Sequence, residues 1–176
     1  IALWDTSKIT DMSYLFSLQI HFNDDISRWN TSNVKSMHCM FIGCSKFNQD
    51  LSKWDVSQVI DMENMFRDCK SFNQDLGNWN IRNVRIMKCM FMGCCRFCQN
   101  LTKWIIHPKT KYTKIFKNSL LMYEGYMPML KQYTEIRDNH NYVKICGLNR
   151  SNTLRSYKKL LAKDNEIFSE DNGFKH

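Results

Sequence analysis

The chain has 176 residues, 43% of them hydrophobic, and a formal net charge of +8. That is enough apolar matter for one domain plus an appendage, and no apolar run approaches the 18 or more residues of a membrane-spanning helix. The charge is uneven: residues 1–104 carry 12 basic and 10 acidic groups (+2), whereas residues 105–176 carry 13 and 7 (+6).

From the N-terminus the chain repeats itself. Trp4, Trp29, Trp54, Trp79 and Trp104 stand 25 residues apart. Met12, Met37, Met62 and Met87 keep the same register, as do Phe16, Phe41, Phe66 and Phe91, then Phe22, Phe47, Phe72 and Phe97, then Ile26, Leu51, Leu76 and Leu101. Polar columns run between them, among them Ser7, Ser32, Ser57, and Asn23, Asn48, Asn73, and Asp25, Asp50, Asp75. Self-similarity at a fixed period is the signature of stacked architectures, and it governs every later step. Ile1 already falls in the Ile/Leu column, so the chain opens inside a unit and reads as a fragment or a processed piece.

Within one unit, Met62, Met65, Phe66 and Cys69 lie at i, i+3, i+4 and i+7, the spacing of an apolar stripe on a short helix. Asp61 precedes it as an N-cap type, like Asp11 and Ser36, and the Gly43/Asp68/Gly93 column marks its end. Phe72 to Leu76 and Trp79 to Val84 alternate as short strand segments do. The Asn73 column is placed to pair backbone groups from unit to unit, and the Ser57 column to do the same at a second corner. One unit cannot stand alone: each large buried side chain contributes roughly 1.5–3 kcal/mol, against about 1–2 kcal/mol of backbone entropy per ordered residue. Neighbours must complete the burial.

Trp54-Asp55-Val56-Ser57-Gln58-Val59, Met62, Met65-Phe66, Cys69, Phe72-Asn73 and Leu76 resemble the repeat of the BspA-like leucine-rich-repeat surface proteins, more closely the mycoplasma lipoprotein-associated type. The likeness covers about residues 1–104, with departures at Arg82 and Cys98 in the fourth unit. It implies an α/β fold: a leucine-rich-repeat-like solenoid of about four units, each of short strands plus a short helix. It also implies a surface protein engaged in adhesion or host contact, and it brings no catalytic residues. Related repeats in protists and large viruses leave an intracellular scaffold as the alternative.

After Trp104 the sequence Ile105-Ile106-His107-Pro108 reads as the end of the array. The expected division is a repeat domain over 1–106 and a basic, mainly helical C-terminal cap or tail over 107–176. Tyr112 to Tyr123 is predicted helical, as are Met129 to Ile136 and a segment capped by Thr153; Tyr142 to Cys146 is read as a strand. A tail of this kind covers the apolar end of the last unit. Its basic groups are mixed with acids, as on a solvated helical face, so nucleic-acid binding is the weaker reading.

Five of the eight cysteines, Cys39, Cys44, Cys69, Cys89 and Cys94, fall in the register and read as small apolar core groups. Cys89, Cys94, Cys95 and Cys98 lack the paired CxxC spacing of a zinc site. A Cys44–Cys69 disulfide is the alternative in an exported protein; reduced thiols are the preferred reading. His107, His140 and His176 are scattered. No Ser/His/Asp order, phosphate-binding glycine loop or HExxH is present, and Asp25, Asp50 and Asp75 recur with the register, whereas catalysis needs a unique constellation. The expectation is a non-catalytic protein with no cofactor and no metal ligands that binds a protein or glycan. Its exposed candidates are the variable positions Lys35, His38, Glu63, Asn64, Arg85 and Lys88. The sequence leaves open the partner, the binding face and the oligomeric state.

Overall fold

The computed structural model describes residues 1–119. The chain winds through stacked coils counted from the tryptophans: coil 1 is 4–28, coil 2 is 29–53, coil 3 is 54–78, coil 4 is 79–103, and coil 5 begins at 104.

Turns make each coil. In coil 3 the Trp54 amide closes on the Leu51 carbonyl, Val59 on Val56, Met65 on Met62, Arg67 on Asn64, Cys69 on Phe66 and Phe72 on Cys69, all at 3.0–3.2 Å. Asp50, Asp55 and Asp61 each accept the amide two residues on, at 2.8–2.9 Å. This is the habit that makes Asp a turn residue.

Between coils runs a parallel ladder. The amides of Met62, Asn64, Phe66 and Asp68 donate forward to the carbonyls of Ile86, Lys88, Met90 and Met92 at 2.8–3.0 Å. The carbonyls of Asp61, Glu63, Met65 and Arg67 accept from Met37, Cys39, Phe41 and Gly43 at 2.8–2.9 Å. Amides of one parity thus face the next coil, and carbonyls of the other parity face the coil before.

This arrangement overturns the α/β leucine-rich-repeat-like solenoid expected from the sequence. Among the described residues there is no helix, and strand-like pairing is confined to isolated bridges along the column Asp11, Ser36, Asp61, Ile86 and Lys111. The physical reason lies in the segment read as a helix. Asn64 and Asp68 sit at φ 55° and 60°, and the same two columns are left-handed in every coil, at Tyr14, Cys39, Cys89 and Lys114, and at Leu18, Gly43, Gly93 and Asn118. A left-handed residue at every fourth position cannot belong to a right-handed helix. A helix over 62–69 would leave its first four amides unpaired. The turns and the ladder together pair all eight, with Asp61 Oδ1 taking that of Glu63.

Nor does the array end at Pro108. Lys111, Thr113, Ile115 and Lys117 accept from Met87, Cys89, Phe91 and Gly93 at 2.8–3.0 Å, so coil 5 stacks on coil 4 as its predecessors do. Pro108 occupies the second position of the turn closed by Thr110 on His107 (2.9 Å), where its fixed φ is an asset. The turn has slipped one residue relative to Ile81–Val84, and the ladder register survives. Residues 112–119 of the expected helix and cap therefore take turns; the remaining tail expectations, His140 and His176 included, lie outside the described residues.

The core is a set of ring columns. Phe41–Phe66 and Phe66–Phe91 stack at 5.6 Å, Phe47–Phe72 at 5.9 Å and Trp29–Trp54 at 6.5 Å. Trp29, Trp54, Trp79 and Trp104 are buried, whereas Trp4 is 58% exposed with coil 2 on one side only. Each buried indole N–H donates back to the Ile/Leu column of the preceding unit: to Ile1, Ile26, Leu51 and Leu76 in turn, at 2.8–3.1 Å.

Candidate functional site

The polar columns divide into those that hold the stack and those that remain for other use. The asparagines hold it: Asn48 and Asn73 donate their amides to the Oδ1 of Asn23 and Asn48, and Cys98 to that of Asn73, at 2.8–2.9 Å. Cys98 donates its N–H but carries no side-chain carbonyl to accept from the next coil, so this side-chain ladder stops there. At the second corner the serine side chains are not the connectors. Asn33 and Asn83 reach the Ser7 and Ser57 carbonyls at 2.7 Å, and the Thr6 and Thr31 hydroxyls reach those of Asn30 and Asp55. Asp25, Asp50 and Asp75 each accept from their own turn, at Ser27, Ser52 and Gly77. The hydrogen bonds from Ser27 and Ser52 hold the Asp25 and Asp50 carboxyls below the usual range.

The thiols are donors as well as filler. Cys44, Cys69 and Cys94 point at the Phe16, Phe41 and Phe66 carbonyls at 2.9–3.0 Å. Ser119 takes the same place in coil 5 and donates to the Phe91 carbonyl. Burial pushes Cys44 up to about 11 and raises Cys69 and Cys94 well above the ordinary thiol range. All seven described cysteines are free. The sulfurs of Cys89, Cys94, Cys95 and Cys98 do not converge: Cys94 faces Phe66, and Cys95 its neighbour Gly93.

What remains is the face over the left-handed turns, where the sequence candidates all fall. Of the six, Lys35 alone is fully exposed; His38, Glu63, Asn64, Arg85 and Lys88 are half-buried. Arg85 folds its guanidinium onto the Arg82 and Val84 carbonyls at 3.0 and 3.2 Å. Two candidates meet. His38 and Glu63 are directly stacked neighbours, and together with Asp61 they bring one nitrogen and two carboxylate oxygens within 4.8 Å of one another. His38 Nδ1 stands 3.8 Å from Asp61 Oδ2, and its Nε2 lies 2.9 Å from the Tyr14 hydroxyl of coil 1. The Cys39 thiol beside Tyr14, and beyond it Asp61 and Glu63, raise the phenol so that it stays neutral. Burial raises Cys39 likewise.

In the sequence Asp61 stands out only as a cap, and Tyr14 does not stand out at all. The signal was the register itself, since residues 25 apart are spatial neighbours. Elsewhere, a shallow open cleft of about 360 Å³ runs beside Asn78, Asn80, Arg82, Lys103 and Ile105. It is too open to enclose a small molecule, and its amides and cations suit a polar surface. Among the described residues no helix is long and apolar enough to cross a membrane.

No curated protein and no solved structure matches the chain. A family model described as "Mycoplasma protein of unknown function, DUF285" matches residues 1–104, the span of the tryptophan register and well over half the chain. The chain therefore belongs to the DUF285 family of mycoplasma proteins.

Proposed function

We propose that this chain is a non-catalytic binding protein whose stacked coils present the left-handed turn face to a macromolecule, a protein or glycan outside the cell. The observation that carries the reading is a division of labour along the coils. Buried columns repeat one residue type, Phe41, Phe66 and Phe91 for instance, while the column above the turns changes at each coil, from Ser13 to His38, Glu63, Lys88 and Thr113. Stacking constrains the first set, and the second is free to carry recognition. The resemblance to BspA-like surface repeats and the family match support the same reading. The carboxylates of Asp25, Asp50 and Asp75 each accept an amide of their own turn, a repeated structural use that supports the non-catalytic reading.

The test is a binding screen of the full chain against extracellular proteins and glycans, followed by Lys35→Glu and Lys88→Glu. Loss of binding in those variants, with Lys53→Glu unaffected, is the expected result. A partner that ignores the turn-face variants, or no macromolecular partner for the intact chain, would overturn the proposal.

A further inference from the structure

Beyond the Glu63–Asp61 turn bond and the His38–Tyr14 contact between coils 1 and 2, the side chains of the His38–Asp61–Glu63 cluster form no hydrogen bond that holds the stack. We propose that the cluster is a binding site for a divalent transition-metal ion of the zinc class, bridging coils 2 and 3. The donor set is one imidazole and two carboxylates, a mixture that favours zinc and its neighbours in the series over magnesium or calcium. Around a tetrahedral ion with bonds of about 2.0–2.1 Å, ligand atoms stand about 3.4 Å apart. The three donors already lie within 4.8 Å of one another, so side-chain adjustments of about an ångström close the site. The 3.8 Å between His38 Nδ1 and Asp61 Oδ2 is too long for a hydrogen bond and suits two ligands of one ion.

Each ligand is also aimed by a partner. When Nε2–H donates to the Tyr14 hydroxyl (2.9 Å), Nδ1 keeps its lone pair for the ion, as a metal-bound histidine requires. The Glu63 amide occupies Asp61 Oδ1 (2.8 Å) and leaves Oδ2 facing the imidazole. Charge agrees as well. Among the described residues the ion pairs are His38–Asp61 and Arg67–Asp68, so no lysine or arginine sits within ion-pair distance of the two carboxylates, and a divalent cation would offset their charge. All three residues are half-buried, which leaves an access path and a fourth coordination position for water. The ion would clamp coils 2 and 3 at their left-handed turns, adding to the backbone ladder there.

The test uses the full chain, reduced and stripped with chelator, titrated with Co²⁺ and followed by absorption, since the protein also carries free thiols. The expected result is one equivalent bound with a nitrogen–oxygen spectrum lacking thiolate charge-transfer bands. That spectrum is lost in Glu63→Gln and His38→Gln. Tyr14→Phe, which frees the imidazole without removing a ligand, is expected to weaken binding by roughly 10–100-fold. Zinc should raise the Tm of the wild type and leave that of Glu63→Gln unchanged, a readout that also shows whether the variant is folded. A sulfur-ligand spectrum, binding unaltered in the glutamine variants, or no binding at all would each overturn the proposal.

Discussion

Replacing Cys69 by alanine removes the thiol that donates to the Phe41 carbonyl at 2.9 Å inside the stack. The Phe41 carbonyl keeps the Cys44 amide at 2.9 Å, so the loss is one of its two hydrogen bonds, about 0.5–1.5 kcal/mol, and the missing sulfur adds about 1 kcal/mol of lost burial. The sum is about 1.5–2.5 kcal/mol, a sizeable fraction of the stability of a small domain. Cys69→Ser keeps a donor, and Ser119 shows that a hydroxyl fits this column: it is 1% exposed and bonds the Phe91 carbonyl. The serine variant should therefore cost about 1 kcal/mol or less. Urea unfolding of the three proteins side by side measures the difference, read from midpoints at constant slope. The order wild type, serine, alanine is expected. Were the column merely apolar filler, alanine would be tolerated better than a buried hydroxyl, and that reversed order would refute the donor role.

Burial holds Cys44, Cys69 and Cys94 protonated in the fold, with Cys44 raised to about 11. The unfolded chain then binds fewer protons above the ordinary thiol value. Stability is level below about pH 8.5 and falls as pH rises towards 11, by about 1.4 kcal/mol per pH unit for each such thiol; denaturant midpoints from pH 8 to 11 check it, and Cys69→Ser should make the slope shallower by one thiol's share. Trp79→Phe deprives the Leu51 carbonyl of its 3.0 Å indole bond while the Trp54 amide remains, and should cost at least about 0.5–1.5 kcal/mol. Trp4→Phe at the exposed end should stay within about 0.5 kcal/mol. Gly93 stands at φ +75°, and a Cβ there would lie 2.2 Å from Asp68 Oδ1, so Gly93→Ala should destabilise by at least about 1–2 kcal/mol. Adding Asp68→Gly relieves both the clash and a left-handed aspartate, so the double variant should recover part of the loss in thermal unfolding.

The tryptophan and phenylalanine columns were legible because burial in a stack needs the same shape at the same place in each unit, and the register displays that directly. The Asn23–Asn48–Asn73 ladder was legible for the same reason. The path of the backbone between the columns was not. Met62, Met65, Phe66 and Cys69 point inward at a spacing that a helix shares with a run of turns, and apolar periodicity cannot separate the two. The left-handed columns carried a partial hint at Gly43, Asn64, Asp68 and Gly93, residues that tolerate positive φ. Tyr14, Leu18, Cys39 and Lys114 occupy the same columns with no such preference, because the ladder on either side fixes their backbone. Pro108 misled for the opposite reason: it reads as a stop, yet its fixed φ suits the turn that carries the array onward. The His38–Asp61–Glu63 cluster escaped notice because its members are distant in sequence and adjacent only once one coil is laid on the next.

The most direct measurement of the coil ladder is NMR detection of scalar couplings across hydrogen bonds in the full chain. Stacked coils require the amides of Met62, Asn64, Phe66 and Asp68 to couple to the carbonyl carbons of Ile86, Lys88, Met90 and Met92. Couplings from Phe66 to Met62 and from Cys69 to Met65, the i to i−4 pattern of a helix, would contradict it.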